Sequence, residues 1–169
     1  MLFVSCTNDP KLVQEFISDE YEAIEKISEA ELFHTENGKV KVKIIVGKIE
    51  RFNKNQPELI FSDSLEVYFY NDSSKLQSTL KSNMASMDDV NKIMIAKNSV
   101  KLISNTGKKL ETEELIWDER NNRVYTDKEV KITTGKEVVY GEGFTSNPDF
   151  TEYSIIKIHG TFDFDAEKQ

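Results

Sequence analysis

The sequence holds one cysteine in 169 residues. A single thiol excludes an internal disulfide and any metal cage built on several thiolates. Histidine is almost as scarce. His34 and His159 lie far apart, with no Cys or His partner at ligand spacing. Only three prolines occur (Pro10, Pro57 and Pro148), and they are expected in the N-terminal tail and in loops. No apolar run approaches the ~18 residues of a membrane-spanning helix. Positive charge is in deficit, with 22 Lys and Arg against 30 Asp and Glu and a net charge of -8. Nucleic-acid binding needs clustered cations to neutralise phosphates, so that class of function is excluded.

What the chain has in quantity is β-branched residues: 15 Ile, 12 Val and 11 Thr against 10 Leu. These side chains lose χ1 freedom on a helix and pack well on a pleated surface, so the composition leans towards strands. The order of the residues says the same. "KVKVKIIV" sets Val40, Val42 and Ile44 on one face and Lys39, Lys41 and Lys43 on the other. "LEVYFY" alternates Leu65, Val67 and Phe69; "SVKLI" and "EVKIT" alternate Val100/Leu102 and Val130/Ile132. Such period-two patterns mark antiparallel strands with one wet face. Asn37-Gly38-Lys39, Thr106-Gly107-Lys108 and Thr134-Gly135-Lys136 each end one strand and begin another, with Gly supplying positive φ, and Asn121-Asn122 suits a further hairpin. A weak repeat of this strand-turn-strand unit starts near Leu65, Ser99 and Glu129. Between residues 31 and 158 the pattern predicts ten to twelve strands and no helix.

Three domains of the chain are predicted: residues 1–30 as a signal remnant and tether, 31–160 as one all-β domain, and 161–169 as a tail. Within the first segment, "KLVQEFISDEYEAIEKI" admits either a short helix or a loosely docked tether. "MLFVSC" resembles the end of a bacterial lipoprotein signal, which would make Cys6 the acylated residue. A full signal needs a charged start and an apolar stretch of ~7–15 residues, and only a stub is here. The alternative is a frayed apolar start with an incidental cysteine.

Catalytic groups are hard to assemble. Glu111, Glu113, Glu114, Asp118 and Glu119 crowd around the single tryptophan, Trp117. An acid/base pair needs carboxylates in unlike environments, so that their pKa values separate. Here Leu115 and Trp117 alternate with Glu114 and Asp118, which reads as the solvated face of a strand. "YGEG" lacks the third glycine and the helix of a dinucleotide loop; a bulge or a close backbone approach at Gly141 and Gly143 fits better. No enzyme, metal or cofactor is predicted.

The stretch "NSVKLISNTGKKLETEELIWDERNNRVYTDKEVKI" followed by "GEGFTSNPDFTEYSIIKIHG" resembles the LptC family, the periplasmic component of lipopolysaccharide export. "ELFHTENGKVKVKIIVGKIERF" and "LIFSDSLEVYFYND" resemble that family's earlier repeats, so the likeness covers about Ala30 to Gly160. It implies an all-β, twisted, boat-like antiparallel β-jellyroll with an open apolar groove. Lipopolysaccharide acyl chains would lie in that groove, received from the inner-membrane ABC transporter and passed to an LptA-like periplasmic bridge protein. Groove-lining residues would be Val42, Ile44, Val46, Val67, Phe69 and Leu80 from the first half of the domain. The second half would add Ile95, Leu102, Leu115, Trp117, Val130, Ile132 and Phe144. The final edge, Tyr153, Ile155, Ile156 and Ile158, would pair with the bridge protein. Well-known members carry an N-terminal transmembrane helix; here a lipid on Cys6 would replace it, anchoring the protein to the periplasmic side of the inner membrane. The competing reading is a β-sandwich lipoprotein with an ordinary filled core, acting as a non-catalytic interaction or adhesion module.

Overall fold

Where apolar and polar residues alternate, the backbone runs extended, and antiparallel neighbours satisfy its N–H and C=O groups. The computed structural model describes residues 23–52, 58–135 and 137–159. Ten strands and no helix are present among them: β1 Glu25–Glu36, β2 Lys39–Arg51, β3 Leu59–Tyr70, β4 Leu76–Ser82, β5 Met84–Asp88, β6 Ile93–Ser104, β7 Lys109–Asp118, β8 Arg123–Thr133, β9 Val138–Ser146 and β10 Tyr153–Ile155. They form a single antiparallel sheet in the order β1-β2-β3-β4-β6-β7-β8-β9-β10, with β5 pairing β3 and β6. Strands β4 and β5 are one strand broken at Asn83, whose N–H donates to the Asn98 carbonyl. The all-β antiparallel fold expected from the sequence is therefore what the chain adopts, and its layout is consistent with a β-jellyroll.

The domain starts earlier than expected. Glu25, Lys26 and Ile27 pair with Arg51, Glu50 and Ile49 as the first rungs of β1. These residues are strand, neither helix nor tether, because β2 offers their backbone a ready partner. Residues 1–22, including Cys6 and most of the candidate helix, lie outside the described residues, as do 160–169. In the first hairpin Asn37 (φ 50) and Gly38 (φ 74) are both left-handed, which is the chemistry of a two-residue turn matched to strand twist. Gly107 (φ 85) serves the same need, whereas Gly135 is not left-handed and the β8–β9 turn closes without positive φ there.

A line of β-bulges crosses the sheet from edge to edge. Gly47 stands opposite Asp63 and Ser64, because Val46 pairs Leu65 and Lys48 pairs Ser62. Glu113 stands opposite Asn98 and Ser99, and Gly143 opposite Asp127 and Lys128. Left-handed backbone gathers at these places: Glu29, Asp63, Ser64, Asn98, Ser99 and Gly143 all have positive φ. An extra residue on one strand bends it and increases local twist, so aligned bulges crease a sheet. Glycine is required at one end of this crease. A Cβ on Gly47 would lie 2.1 Å from the Asp63 carbonyl oxygen.

The crease divides every long strand into two halves and folds the sheet face to face. One wall ends in the glycine turns at 36–39 and 104–109, the Asn71 turn and the connection from β8 to β9. The other wall ends in turns organised by Asp88, Asp118 and Asn147, each an Asx side chain accepting backbone N–H groups. These side chains recur about every thirty residues, which gives the repeat seen in the sequence a structural meaning. Between the walls lies one apolar core, running from Val42, Val46 and Leu65 on the first wall to Phe61, Leu115, Val124 and Phe144 on the second.

Candidate functional site

The interior is apolar and closely packed. Phe61, Val67, Leu102 and Leu110 have no exposed surface. Of the residues expected to line a groove, Val42, Val46, Val67, Phe69, Leu80, Leu102, Leu115, Val130, Ile132 and Phe144 are buried in the shared core. Ile44 and Trp117 are half-buried and pack against it. Ile95 does not belong. Along β6 the inward positions are Met94, Ala96, Val100 and Leu102, all of one parity. Ile95 has the other parity and pairs across the outer face with Ser86 and Ile116. Strand parity outranks side-chain hydrophobicity here, because a one-residue slip would send the whole strand's apolar set outward. Leu65 and Val100, read on the apolar faces of their strands but left out of the groove set, are core too; Ile49, Phe61, Ala85, Met94, Ala96, Leu110, Val124 and Phe150 had not been singled out.

Opposite the crease, the free ends of the two walls meet as a pair of lips. Side chains rather than strand pairing join them among the described residues. Phe69 meets Trp117 edge-on, ring centroids 5.2 Å apart at 89°. His34 Nε2 lies 3.9 Å from Glu119 Oε1. Ser78 Oγ donates to the Pro148 carbonyl at 2.6 Å, and Lys108 Nζ donates to the Phe150 carbonyl at 3.2 Å. Beside the Phe69–Trp117 pair lies a cavity of about 410 Å³, bordered by Val42, Phe69, Trp117, Gln77, Asn122 and the loop at Asn147–Asp149.

That loop, between β9 and β10, is a strap across the lips. Asn147 Oδ1 accepts the N–H groups of Thr151 and Glu152, and Phe150 N–H donates to the Asn147 carbonyl. The tight turn puts Phe150 at φ 58, a conformation that costs an aromatic residue energy. In exchange the ring is wholly buried, edge-on to Phe144 at 5.5 Å and to Tyr153 at 5.2 Å. The Lys108 ammonium sits over both Phe150 and Tyr153, at 5.5 and 5.0 Å from the ring centroids, a favourable cation–π geometry.

The carboxylates around Trp117 are dispersed rather than convergent. Glu111 pairs with Lys109 at 3.0 Å, and the hydrogen bond from that ammonium holds its carboxyl below the ordinary glutamate value. Glu114 pairs with Lys97 at 3.2 Å, and Glu113 is exposed at the crease. Asp118 departs from the solvated placement expected of it: it is buried, at 8% exposure. The side-chain amide of Asn121, then its backbone N–H, bind the two carboxylate oxygens and lower the pKa. Its work is to close the β7–β8 turn that carries Trp117 to the lip.

The sheet has two ends. β1 has no neighbour beyond it among the described residues, and all twelve of its residues except Ala30 are exposed, Phe33 at 55%. Sequence reading missed this edge by taking residues up to 30 as tether. At the other end β10 is short. Ile155 turns inward over Gly141, where a Cβ would come within 2.3 Å of it, and Ile156 crosses close to Gly143. The reading of "YGEG" as a bulge and a close approach is thus correct. Ile156 N–H donates to the Gly143 carbonyl, Lys157 (φ 47) bulges out, and His159 rejoins β9 at Tyr140. Tyr153 and Ile158 are exposed, at 36% and 53%.

Among the described residues no helix is long and apolar enough to cross a membrane, and no cluster of three potential metal ligands occurs. No curated protein matches the chain. One family does: the family model for lipopolysaccharide assembly, LptC-related, matches residues 24–158, from one residue before β1 to the last residue before the His159 bridge. The family is a non-catalytic component of lipopolysaccharide transport, periplasmic and associated with the inner membrane, and by a match over most of its length this chain belongs to the LptC family.

Proposed function

We propose that the protein binds lipopolysaccharide acyl chains between its two walls and passes them from the inner-membrane ABC transporter to an LptA-like periplasmic bridge protein. The observation that carries this reading is the contrast within the sandwich: a continuous apolar interior sealed at the crease by backbone, and at the lips by a few side chains. Chains enter when the lips part. They take the place of the Phe69–Trp117 contact and of the Phe150 ring, and the same apolar residues that now touch one another then touch lipid. Burial of a chain between the walls gains ~0.8 kcal/mol for each methylene withdrawn from water, which is enough to offset separating the lips.

The two free edges suit a relay. β1 and the β10 segment lie at opposite ends of one continuous sheet, and an exposed edge offers unpaired backbone groups that a second sheet can extend. The bridge protein docks at the C-terminal edge formed by Tyr153, Ile155, Ile156 and Ile158. Because Ile156 N–H is already given to β9, a proline there breaks an internal bond, and deletion from residue 151 onward, with folding monitored, is the cleaner test of docking. Cys6 carries the lipid anchor in the native product; mass spectrometry of that product checks it, and an unmodified thiol ends the idea. The groove itself is tested by photo-crosslinkers at Phe69 and Ile132 against one at exposed Lys101. Capture of lipopolysaccharide at the first two only is the expected result, and equal capture at all three contradicts it.

A further inference from the structure

Trp117 Nε1 is the one buried side-chain nitrogen or oxygen among the described residues with no hydrogen-bond partner. An indole N–H can only donate, and a buried donor without an acceptor is costly. An aromatic ring meets the apolar demand at this position, and phenylalanine would offer one without a donor. The ring that carries this donor sits at the lip of one wall, in edge contact with Phe69 of the other, and borders the cavity of about 410 Å³.

We infer that Trp117 is a ligand-recognition residue whose N–H donates to the ester or amide carbonyl linking an acyl chain to its headgroup. This deepens the acyl-chain reading above and rests on it. A chain lying between the walls leaves the apolar interior at the lips, and its carbonyl is the first polar group to reach that level. Parting Phe69 from Trp117 to admit the chain opens the space in which that carbonyl meets the indole. The rim favours a neutral acceptor over a phosphate. Glu36, Asp72, Glu119 and Asp149 border the cavity, against His34 and Lys41, and Lys41 is already bonded to Asp72. Asp72 is held below the ordinary aspartate range by that ammonium, so its negative charge persists.

The test compares the full chain with Trp117→Phe, using a monoacyl ester amphiphile and its ether analogue of equal chain length. The wild-type protein should bind the ester about five- to tenfold more tightly, the worth of one hydrogen bond. Trp117→Phe should bind both at the ether level while remaining cooperatively folded in urea unfolding. Because the chain has one tryptophan, its single indole N–H proton resonance reports directly. It should move downfield with the ester and not with the ether. Wild-type binding of both amphiphiles without preference, or a preference that survives in Trp117→Phe, overturns this inference alone. Failure of the wild-type protein to bind either amphiphile overturns the acyl-groove reading with it. Lipopolysaccharide and a diacyl phospholipid, run as further arms, tell which acylated lipid the site prefers.

Discussion

The crease and the lips are the two long borders of the same interior, and they are held by different forces. At the crease each long strand passes unbroken from one wall to the other, with a break at Asn83 between β4 and β5, and the side chains just inside, such as Phe61, Leu65 and Val100, are at most 1% exposed. The lips are held by an aromatic edge contact, two side-chain-to-carbonyl hydrogen bonds, the Lys108 ammonium over Phe150 and Tyr153, and the approach of His34 to Glu119 at 3.9 Å. Such contacts contribute roughly 0.5–1.5 kcal/mol apiece. If a sandwich built this way opens, it opens at the lips and not at the crease. The difference teaches how, on the proposed reading, a filled core could serve as a lipid groove: one border is covalent and the other is not.

Large-to-small changes should separate the borders most strongly. Phe61→Ala, beside the crease, should cost about 3–5 kcal/mol in urea unfolding, whereas Phe69→Ala at the lips should cost less than about 3 kcal/mol, because the lips can collapse around the gap. Equal losses would erase the distinction. Phe150→Ala should follow. It removes the ring of the strap, costs no more than about 3 kcal/mol, and speeds lipid uptake while hydrogen exchange in residues 147–152 rises. Unchanged uptake with lost stability would make Phe150 core alone. Gly47→Ala strikes the crease itself: its Cβ would collide with Asp63, and a loss of about 1–3 kcal/mol is expected. A neutral result would show that the crease can relax.

The smallest effect is a pH response at the lip of the Asx-turn wall. Asp118 is lowered by Asn121's side chain and backbone N–H, and Asp88 by the same groups of Asn91 with the backbone bond first. Both carboxyls have folded values below the ordinary 3.8. Depressed values mean that the stability these groups supply is complete above the ordinary value and fades as pH falls through the folded one. Trp117 fluorescence should therefore change below about pH 4 before the core unfolds, and Asp118→Asn should flatten that early step. A wild-type titration in which fluorescence and core unfolding coincide would contradict it.

Strand existence and the apolar set were legible because alternation is written locally: Val67 and Phe69, or Val130 and Ile132, announce their face within a few residues. The crease was not, since a bulge is a property of two paired strands. Nothing in "SDS" or "KNS" tells which residue of a neighbour it will face, although Gly143 was read as a bulge from its own sequence. Ile95 was misplaced because apolar character was followed instead of the parity that Val100 and Leu102 fix. Asp118 was read as solvated because its burial depends on a turn three residues ahead. The strap was invisible for the same reason: Phe150 in "SNPDF" looks like a loop residue until Asn147 turns it inward. The β1 edge was lost among the acidic residues that precede it, which carry a solvated strand as readily as a tether.

The most direct test locks the lips. His34 and Glu119 are exposed enough to be replaced without disturbing the core and face each other across the opening. In a Cys6→Ser background, His34→Cys with Glu119→Cys, bridged by a short cleavable thiol crosslinker, ties the walls together. The account predicts that the bridged protein stays folded, loses lipopolysaccharide binding, and regains it when the linker is cleaved. Full binding by the bridged protein would show that acyl chains do not enter between the lips.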